Sequence, residues 1–214
     1  MTGKPTYEQL EQRVRELEKE ASKLLTAEKA LRESEERHSQ IVQGSSIPTF
    51  VINDKHMITH CNRAHERLTG ISAKDVIGTR KQWLSFYSEE RPVMADLIVD
   101  NAPEDEFVRY YENKYRKSPV TDGGYEAEDF FPDLGETGRW LFFTASPLRD
   151  ADGNVAGAIE TLQDVTERKL AEEALRESER RLRTLLDFVP YPIAVFTLEG
   201  RVYYINPSFT KTFG

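Results

Sequence analysis

The sequence predicts an α+β fold: an antiparallel five-stranded sheet with helices on one face, flanked by long charged helices. Three observations support this prediction. The chain repeats itself, because residues 27–70 align without a gap on residues 171–214, at an offset of 144. Residues 7–42 have the apolar spacing of a coiled coil. Strand and helix signals then follow in the order β-β-α-α-α-β-β-β, which is typical of an α+β layer architecture.

The repeat joins a helix signal to a strand signal. It begins with the shared segment Ala-Leu-Arg-Glu-Ser-Glu at residues 30–35 and 174–179. Charged helices match easily by chance, so the Pro, Asn and Gly matches in the second half are the better evidence. The second copy ends at Gly214, so it is predicted to be cut off mid-domain. The matched pairs are Pro48/Pro192, Val51/Val195, Asn62/Asn206 and Gly70/Gly214.

Residues 7–42 are predicted to form one long helix with an apolar seam and flanks rich in Glu, Lys and Arg. Glu28 is the one poor occupant of the seam. A single solvated helix is the alternative, but isolated helices gain little stability without burying an apolar face. Residues 167–188 have the same character, with leucines at 170, 175, 182 and 185. The seam residues of the first helix are Tyr7, Leu10, Val14, Leu17, Ala21, Leu24 and Leu31.

The segments between the two helices have strand, turn and helix signals. Asn62 is a plausible N-cap and Gly70 a stop for a short helix over residues 62–68. A second short helical turn is predicted over residues 72–76, and longer helices over 88–100 and 104–116. The predicted strands are residues 48–53, 57–61, 125–131, 139–147 and 155–165, with a hairpin loop at 150–154.

Composition excludes several classes of protein. The net charge of −8 argues against a nucleic-acid partner, which calls for a basic face. No apolar run reaches the length that spans a bilayer, and residues 1–12 contain no signal-peptide core. Cys61 is the only cysteine, so no internal disulfide is possible. We predict a cytoplasmic location, and a membrane-anchored parent protein stays possible.

A set of short motifs, in this order, resembles the PAS family and its C-terminal PAC half. The resemblance covers about residues 37–168, and residues 181–214 match the start of a second domain. The stretch 79–133 is longer than in a minimal family member. The matching segments are residues 50–52, 58–64, 68–70, 76–78, 140–147, 153, 157–158 and the terminal Asp164-Val165-Thr166-Glu167-Arg168.

The resemblance implies four regions. An N-terminal coiled-coil helix covers residues 1–36, and a PAS/PAC sensor domain covers residues 37–168, with a helical insertion at about 79–133. A connecting signalling helix covers residues 167–188, and a truncated second PAS domain covers residues 189–214. Such domains precede histidine kinases or diguanylate cyclases in bacterial sensors, so an output domain beyond Gly214 and a homodimer through the helices are expected.

The expected function is that of a sensory module that relays a signal through its flanking helices, and this region is not expected to be an enzyme. Asp164 and Thr166 are the candidate signal-transfer junction, because short polar side chains bond backbone at a strand-to-helix change. A ligandless dimerisation and relay module is the first alternative, and a haem- or flavin-binding sensor is the second.

No motif for catalysis or metal binding is present. His65 is more simply a core or surface histidine than a haem ligand. The chain has no cysteine at the position that flavin photochemistry needs, although Gln163 could contact a non-covalent flavin ring.

Aromatic and basic residues point to a small-ligand pocket between the sheet and the inserted helices, since such pockets are mostly apolar with a few polar groups. A small, anionic metabolite is the favoured ligand. A core in which these aromatics pack only on one another is equally compatible with the sequence. The candidate ligand residues are Trp83, Tyr87, Arg91, Tyr111, Lys114, Tyr115, Glu126, Trp140, Phe142, Thr144 and Gln163.

Overall fold

The computed structural model describes residues 6–214, so the first five residues of the predicted N-terminal helix region lie outside it. Eight strands and seven α-helices follow one another within the described part. The helices are α1 (Tyr7–Gly44), α2 (Arg63–Thr69), α3 (Ala73–Val76), α4 (Met94–Val99), α5 (Glu104–Tyr111), α6 (Thr166–Phe188) and α7 (Pro207–Phe213), with a 3-10 helix at Gln82–Ser85. The strands are β1 (Thr49–Asn53), β2 (Ile58–Cys61), β3 (Tyr115–Lys117), β4 (Tyr125–Phe131), β5 (Arg139–Arg149), β6 (Val155–Asp164), β7 (Ala194–Phe196) and β8 (Val202–Ile205).

The main sheet is antiparallel, with strand order β2-β1-β6-β5-β4-β3. The α+β prediction is confirmed, but the sheet has six strands in place of the predicted five. The extra strand is β3, which the sequence had placed at the end of a helix over 104–116. That helix ends at Tyr111, because Glu112 has a φ of 53° and turns the chain out of the helix. Residues 115–117 then pair with the open edge of β4.

Helix α4 is shorter than the predicted helix over 88–100, and it begins at Met94. Pro92 lies before it, and the N-cap residue Val93 is extended. The Asp96 carboxylate accepts a hydrogen bond from the Val93 N–H at 2.9 Å, which satisfies one of the free donors at the helix start. The helix therefore starts where a side chain can cap it.

The core lies between the inner face of the sheet and helices α2 to α5. Alternate residues of each strand point to opposite faces, and on β5 the buried members are Leu141, Phe143 and Ala145. Met94 and Leu97 of α4 pack against this face. Burying one such side chain contributes roughly 1.5–3 kcal/mol, so this layer of apolar side chains is the main stabilising feature of the domain.

The predicted N-terminal helix and the connecting helix are both present as α1 and α6. The β7–β8 hairpin and α7 repeat the geometry of β1, β2 and α2, including a register irregularity at the matched positions Val51/Ile52 and Val195/Phe196. Within residues 6–214, no helix is long and apolar enough to cross a membrane.

Candidate functional site

A buried polar cluster lies on the inner face of the sheet, under the segment that leads into α4. The Arg91 guanidinium lies 4.0 Å from the ring centre of Tyr87 and 5.4 Å from that of Tyr111. Its Nη2 donates to the Tyr110 carbonyl at 2.9 Å. Across the part of the chain that the structure describes, no carboxylate pairs with Arg91, and its buried Nε has no acceptor.

The carboxyl group of Glu160 is the acidic member of this cluster. Glu160 is 2% exposed and accepts a hydrogen bond from the Ala95 N–H at 2.9 Å. Burial raises its pKa to about 8, the Ala95 N–H opposes that rise, and the nearby Asp96 charge adds to it. At neutral pH the Glu160 carboxyl is therefore mostly protonated.

The two tyrosines of the cluster are held in their neutral form. Burial raises the pKa of Tyr87 to about 12, although Arg91 opposes the rise. Burial also raises the pKa of Tyr111, whose hydroxyl interacts with that of Tyr87. The interior thus presents neutral hydroxyl groups close to one guanidinium.

Asp96 links α4 to the turn between β1 and β2 and to the 3-10 helix. Its Oδ1 contacts His56 Nδ1 at 2.8 Å and accepts from Gln82 Nε2 at 2.6 Å. His56 also contacts Asp100 through Nε2 at 3.0 Å, and it lies in the turn between β1 and β2 with a φ of 62°. The Oε1 of Gln82 is buried without a partner among the described residues.

The structure divides the predicted ligand residues between two faces of the sheet. Tyr87, Arg91 and Tyr111 meet in the interior, and Trp83 packs against the same core. Tyr115 lies at the sheet edge, with its ring tilted against the Phe107 ring at 5.5 Å between centres. The other predicted residues lie elsewhere.

Five of the predicted residues point to the outer face, because they alternate along their strands with core residues. Glu126 there accepts from Arg116, and the hydroxyls of Thr144 and Thr161 lie 2.8 Å apart. Lys114 pairs with Asp129 at 2.7 Å at the sheet edge. These residues therefore do not converge on one interior cavity. The outer-face set is Glu126, Trp140, Phe142, Thr144 and Gln163.

Gln163 faces away from the helices, so it cannot contact a flavin held between the sheet and the helices. The inward-facing neighbour on β6 is Leu162, which belongs to the core. His65 lies in the core, 5.5 Å from the Phe50 ring, and its Nδ1 lies 3.3 Å from the Cys61 sulfur. Burial lowers the pKa of His65 to about 4 and raises that of Cys61 to about 11, so both are neutral packing residues.

The predicted junction residues lie where β6 passes into α6. Asp164 accepts from the Thr166 N–H at 3.0 Å and from Arg139 at 2.9 Å. The Thr166 hydroxyl in turn accepts from the Trp140 N–H at 3.0 Å. Partial burial would raise the pKa of Asp164, but the bonds from Thr166 and Arg139 outweigh burial and lower it. The junction is thus tied to β5 from both sides.

A second contact holds the first turn of α6 on the outer face of the sheet. Glu128 of β4 pairs with both Arg168 and Lys169. These partners outweigh partial burial and lower the pKa of Glu128. The Lys169 ammonium also lies 5.1 Å from the Trp140 ring centre. We name Glu128, Arg168 and Lys169 the α6 clamp; sequence reasoning missed it, because only the fold brings β4 beside α6.

The side chain of Asn62 connects the entering helix to the sheet. Its Oδ1 accepts from the N–H groups of Thr49 at 3.0 Å and His65 at 2.9 Å. Its Nδ2 donates to the carbonyls of Ile47 at 2.7 Å and Val42 at 3.2 Å. The sequence had predicted only the N-cap role.

Asn206 repeats this network in the second copy. Its Oδ1 accepts from the N–H groups of Ile193 and Phe209, and its Nδ2 donates to the carbonyls of Leu186 and Tyr191. The identity of Asn62 and Asn206 in the internal repeat was the signal that could have identified both networks.

Comparisons with known proteins identify the family of this chain. A sequence model of the PAS domain family matches residues 46–167, and a second PAS domain model matches residues 180–214. The first match covers more than half of the chain. The chain belongs to the PAS domain family, and membership supports a role in sensory signal transduction.

Two curated relatives are sensor proteins. The two-component sensor PprA of Pseudomonas aeruginosa is 39% identical over 74 residues, which is 35% of this chain and 8% of that protein. The sensor protein FixL of Bradyrhizobium diazoefficiens is 24% identical over 126 residues, covering 59% of this chain and 25% of that protein. The chain therefore spans a quarter or less of the length of these relatives.

Two solved structures are also similar to this chain. The PAS domain of Bordetella pertussis BvgS shares 17% identity, with 69% of this chain and 98% of that chain covered and a TM-score of 0.42. The phage VqmA–DPO complex shares 19% identity, with 78% and 65% covered and a TM-score of 0.38.

Proposed function

We propose that this chain is a sensory PAS module that binds a small carboxylate or phosphate beside Arg91 and relays the bound state into α6. The observation that supports this proposal is that Arg91 has no carboxylate partner among the described residues. A guanidinium that is partly buried and lacks a carboxylate partner is an anion-binding group, because a buried charge is stable only when it is paired.

The groups around Arg91 favour an anion over a cation. Glu160 is mostly protonated at neutral pH, since its pKa is about 8, so it does not repel a carboxylate. Tyr87 and Tyr111 stay neutral and offer hydroxyl donors. Arg91 is only partly buried, so a ligand can approach it from solvent.

The relay would run through the junction between β6 and α6. Glu160 and Asp164 lie on the same strand, and Asp164 holds the start of α6 through Thr166. A ligand that changes the position of β6 would therefore change the direction of α6. Packed helices have discrete arrangements, so such a change can act as a switch.

A ligandless relay module is the second candidate, and the packing of the interior favours it. Phe86 and Phe131 lie 5.6 Å apart, and Tyr111 and Phe143 lie 5.8 Å apart, between ring centres. These rings fill the space beneath Arg91, so a ligand would have to bind at the surface end of the cluster or displace one ring.

Thermal shift against a library of small carboxylates and phosphates separates the two candidates. The wild-type chain is expected to gain thermal stability with a subset of these anions, and Arg91→Gln is expected to lose that gain. Arg109→Gln is the matched control, because Arg109 also approaches the Tyr110 ring, at 5.4 Å, but is exposed and pairs with Glu106. If no anion shifts the wild-type chain, or if Arg109→Gln loses the gain equally, the Arg91 site is wrong and the ligandless module is favoured.

We further propose that the chain belongs to a longer sensor whose output domain is a kinase or cyclase, with the sensor at residues 37–168 and a second PAS domain from residue 189. The similarity to PprA and FixL supports this. In the full-length protein, Asp164→Ala is expected to uncouple ligand from output while the domain stays folded. Normal ligand-dependent output in that variant would count against the relay.

A further inference from the structure

The turn between β1 and β2 has a histidine where the second copy of the repeat has a glycine. His56 and Gly200 are matched by the repeat offset of 144 residues, and their φ angles are 62° and 79°. The backbone bonds also match. The His56 N–H donates to the Asn53 carbonyl at 3.0 Å, and the Gly200 N–H donates to the Thr197 carbonyl at 2.9 Å. The same turn is therefore built twice, once with glycine, which suits a positive φ, and once with histidine, which does not.

A histidine in this turn needs a compensating contact. Glycine adopts a positive φ freely, whereas the Cβ of any other L-residue is crowded there. A Cβ built on Gly200 would meet no atom within 4 Å beyond its chain neighbours, so the backbone angle, and not space, is what favours glycine. Backbone strain persists where surrounding contacts hold it in place. The contacts of the His56 ring are therefore the feature that can hold it.

The His56 ring spans the length of α4. Its Nδ1 lies 2.8 Å from Asp96 Oδ1 in the first turn of the helix, and its Nε2 lies 3.0 Å from Asp100 Oδ1 at the C-terminal end. The two aspartates are four residues apart, so they lie on one face of α4. The side chain of Asp96 is 7% exposed, whereas that of Asp100 is 56% exposed. One ring thus joins the β1–β2 turn to both ends of the helix.

Both contacts require a hydrogen on the ring nitrogen. A carboxylate only accepts hydrogen bonds, so a ring nitrogen that contacts one must be protonated. The Asp96 carboxylate acts as an acceptor on both oxygens, because it also receives the Val93 N–H at 2.9 Å and Gln82 Nε2 at 2.6 Å. A neutral imidazole has one N–H, so it can donate to only one of the two aspartates. The arrangement fits the imidazolium form of His56.

Other charged groups contribute less to the state of the ring. The neighbouring Asp54 and Lys55 are exposed and carry opposite charges, so solvent screens them. The 3-10 helix presents the uncharged amide of Gln82 to this cluster. Across α4, the Glu160 carboxyl accepts from the Ala95 N–H and is mostly protonated at neutral pH. Among the described residues, the two aspartates of α4 are therefore the ionised groups that contact the ring.

We propose that His56 is a proton-operated latch that fastens α4 to the β1–β2 turn, and that loss of one proton releases the Asp100 end of the helix. The proton on Nδ1 stays, because Asp96 is buried, whereas Asp100 can turn to solvent. The native state then holds more protons than the unfolded state, so the latch is closed at low pH and opens as the pH rises. A proton is thus an input separate from the proposed anion, and it acts on the helix that follows Arg91.

Backbone hydrogen exchange of the whole chain tests the latch. The reporters are the N–H groups of Asp100 and Ala102, which bond the carbonyls of Asp96 and Leu97 at the end of α4. Glu160 titrates in the same window with the same sign, so Glu160→Gln is the reference chain. In a buffer without carboxylates or phosphates, the protection of these N–H groups, corrected for intrinsic exchange, is expected to fall at least about fivefold between about pH 5.5 and about pH 8.5.

Variants of the reference chain separate the ring from other causes. His56→Gly introduces the residue of the second copy, so the turn is expected to fold, and the protection should no longer depend on pH. Asp100→Asn supplies an amide that can accept from a charged ring and donate to a neutral one, so the protection is expected to keep its low-pH level. His60→Gln is the matched control, since the His60 ring contacts the Thr59 hydroxyl, and it should keep the full response.

Each other outcome overturns the proposal or a stated part of it. Equal protection at both pH values in the reference chain would refute the latch. A loss in His56→Gly as large as in the reference chain would assign the response to another group, and so would a lost response in His60→Gln. A full loss in Asp100→Asn would show that Asp100 is not the released end. None of these results depends on anion binding at Arg91, which the thermal-shift comparison measures separately.

Discussion

Replacing Asn62 by alanine tests the link between the entering helix and the sheet. The substitution removes the acceptor of two backbone N–H groups, those of Thr49 and His65, which lie 3.0 and 2.9 Å from Oδ1. Asn62 is fully buried, so water cannot replace this acceptor without rearrangement. The α2 N-cap is lost with the His65 contact.

The cost follows from these contacts. Two buried donors without acceptors cost about 1–1.5 kcal/mol each, and the partly buried carbonyls of Ile47 and Val42 together with the cavity add about 1 kcal/mol. The sum is about 3–4 kcal/mol of unfolding free energy. For a domain of this size, that lowers the melting temperature by roughly 10–15 °C.

Thermal and urea unfolding of the whole chain, followed by circular dichroism, measure this cost. Asn206→Ala is the matched control, since it removes the same contacts from the second copy. The β7–β8 unit is largely exposed, so the main transition should not move in the control. Asn62→Ala would refute the reasoning if it lowered the unfolding free energy by less than about 1 kcal/mol. The reasoning would also fail if Asn206→Ala destabilised the main unfolding transition as much as Asn62→Ala does.

Two further changes have defined outcomes. Glu160→Gln removes a carboxyl group whose pKa rises on folding from its ordinary value to about 8. Between these two pKa values the native state binds more protons than the unfolded state. The stability of the wild-type protein therefore falls as the pH rises through this window. The variant should match wild type near pH 5 and exceed it near pH 9 in melting temperature, and a parallel pH profile for both proteins would contradict the shift. Glu128→Gln should lower stability by less than about 1 kcal/mol but speed hydrogen exchange in the first turn of α6; exchange that is unchanged there would show that the clamp does not hold Arg168 and Lys169.

Much of the fold could be predicted from the sequence, because local signals and the repeat agreed. The hairpin at Asp150 is an example, since its carboxylate accepts from the N–H groups of Asp152 and Asn154 as turn chemistry requires. The third strand was missed for a physical reason. Tyr111 and Tyr115 are spaced as on one helix face, but only tertiary pairing with β4 shows that the chain leaves the helix between them.

The site was predicted only in part, because residue type does not reveal which face of the sheet a strand residue occupies. Tyr87, Arg91 and Tyr111 were predicted and do meet in the interior. Trp140 and Phe142 carry the same aromatic signal, but the register of β5 turns them outward. Glu160 was missed, since a lone carboxylate on a strand has no sequence signal of burial.

The outward position of Trp140 places it beside the start of α6. Trp140 lies beside Lys169, and its N–H binds the Thr166 hydroxyl at the start of α6. Leu141, the next residue on β5, belongs to the inner core. One strand therefore contacts the packed interior with one side chain and the first turns of α6 with the next. In the proposed relay, an anion at Arg91 would displace the inner cluster, and β5 would pass that displacement to α6. Hydrogen exchange of residues 166–172 with and without a bound anion would measure this coupling. Exchange rates that are the same in both states would contradict it.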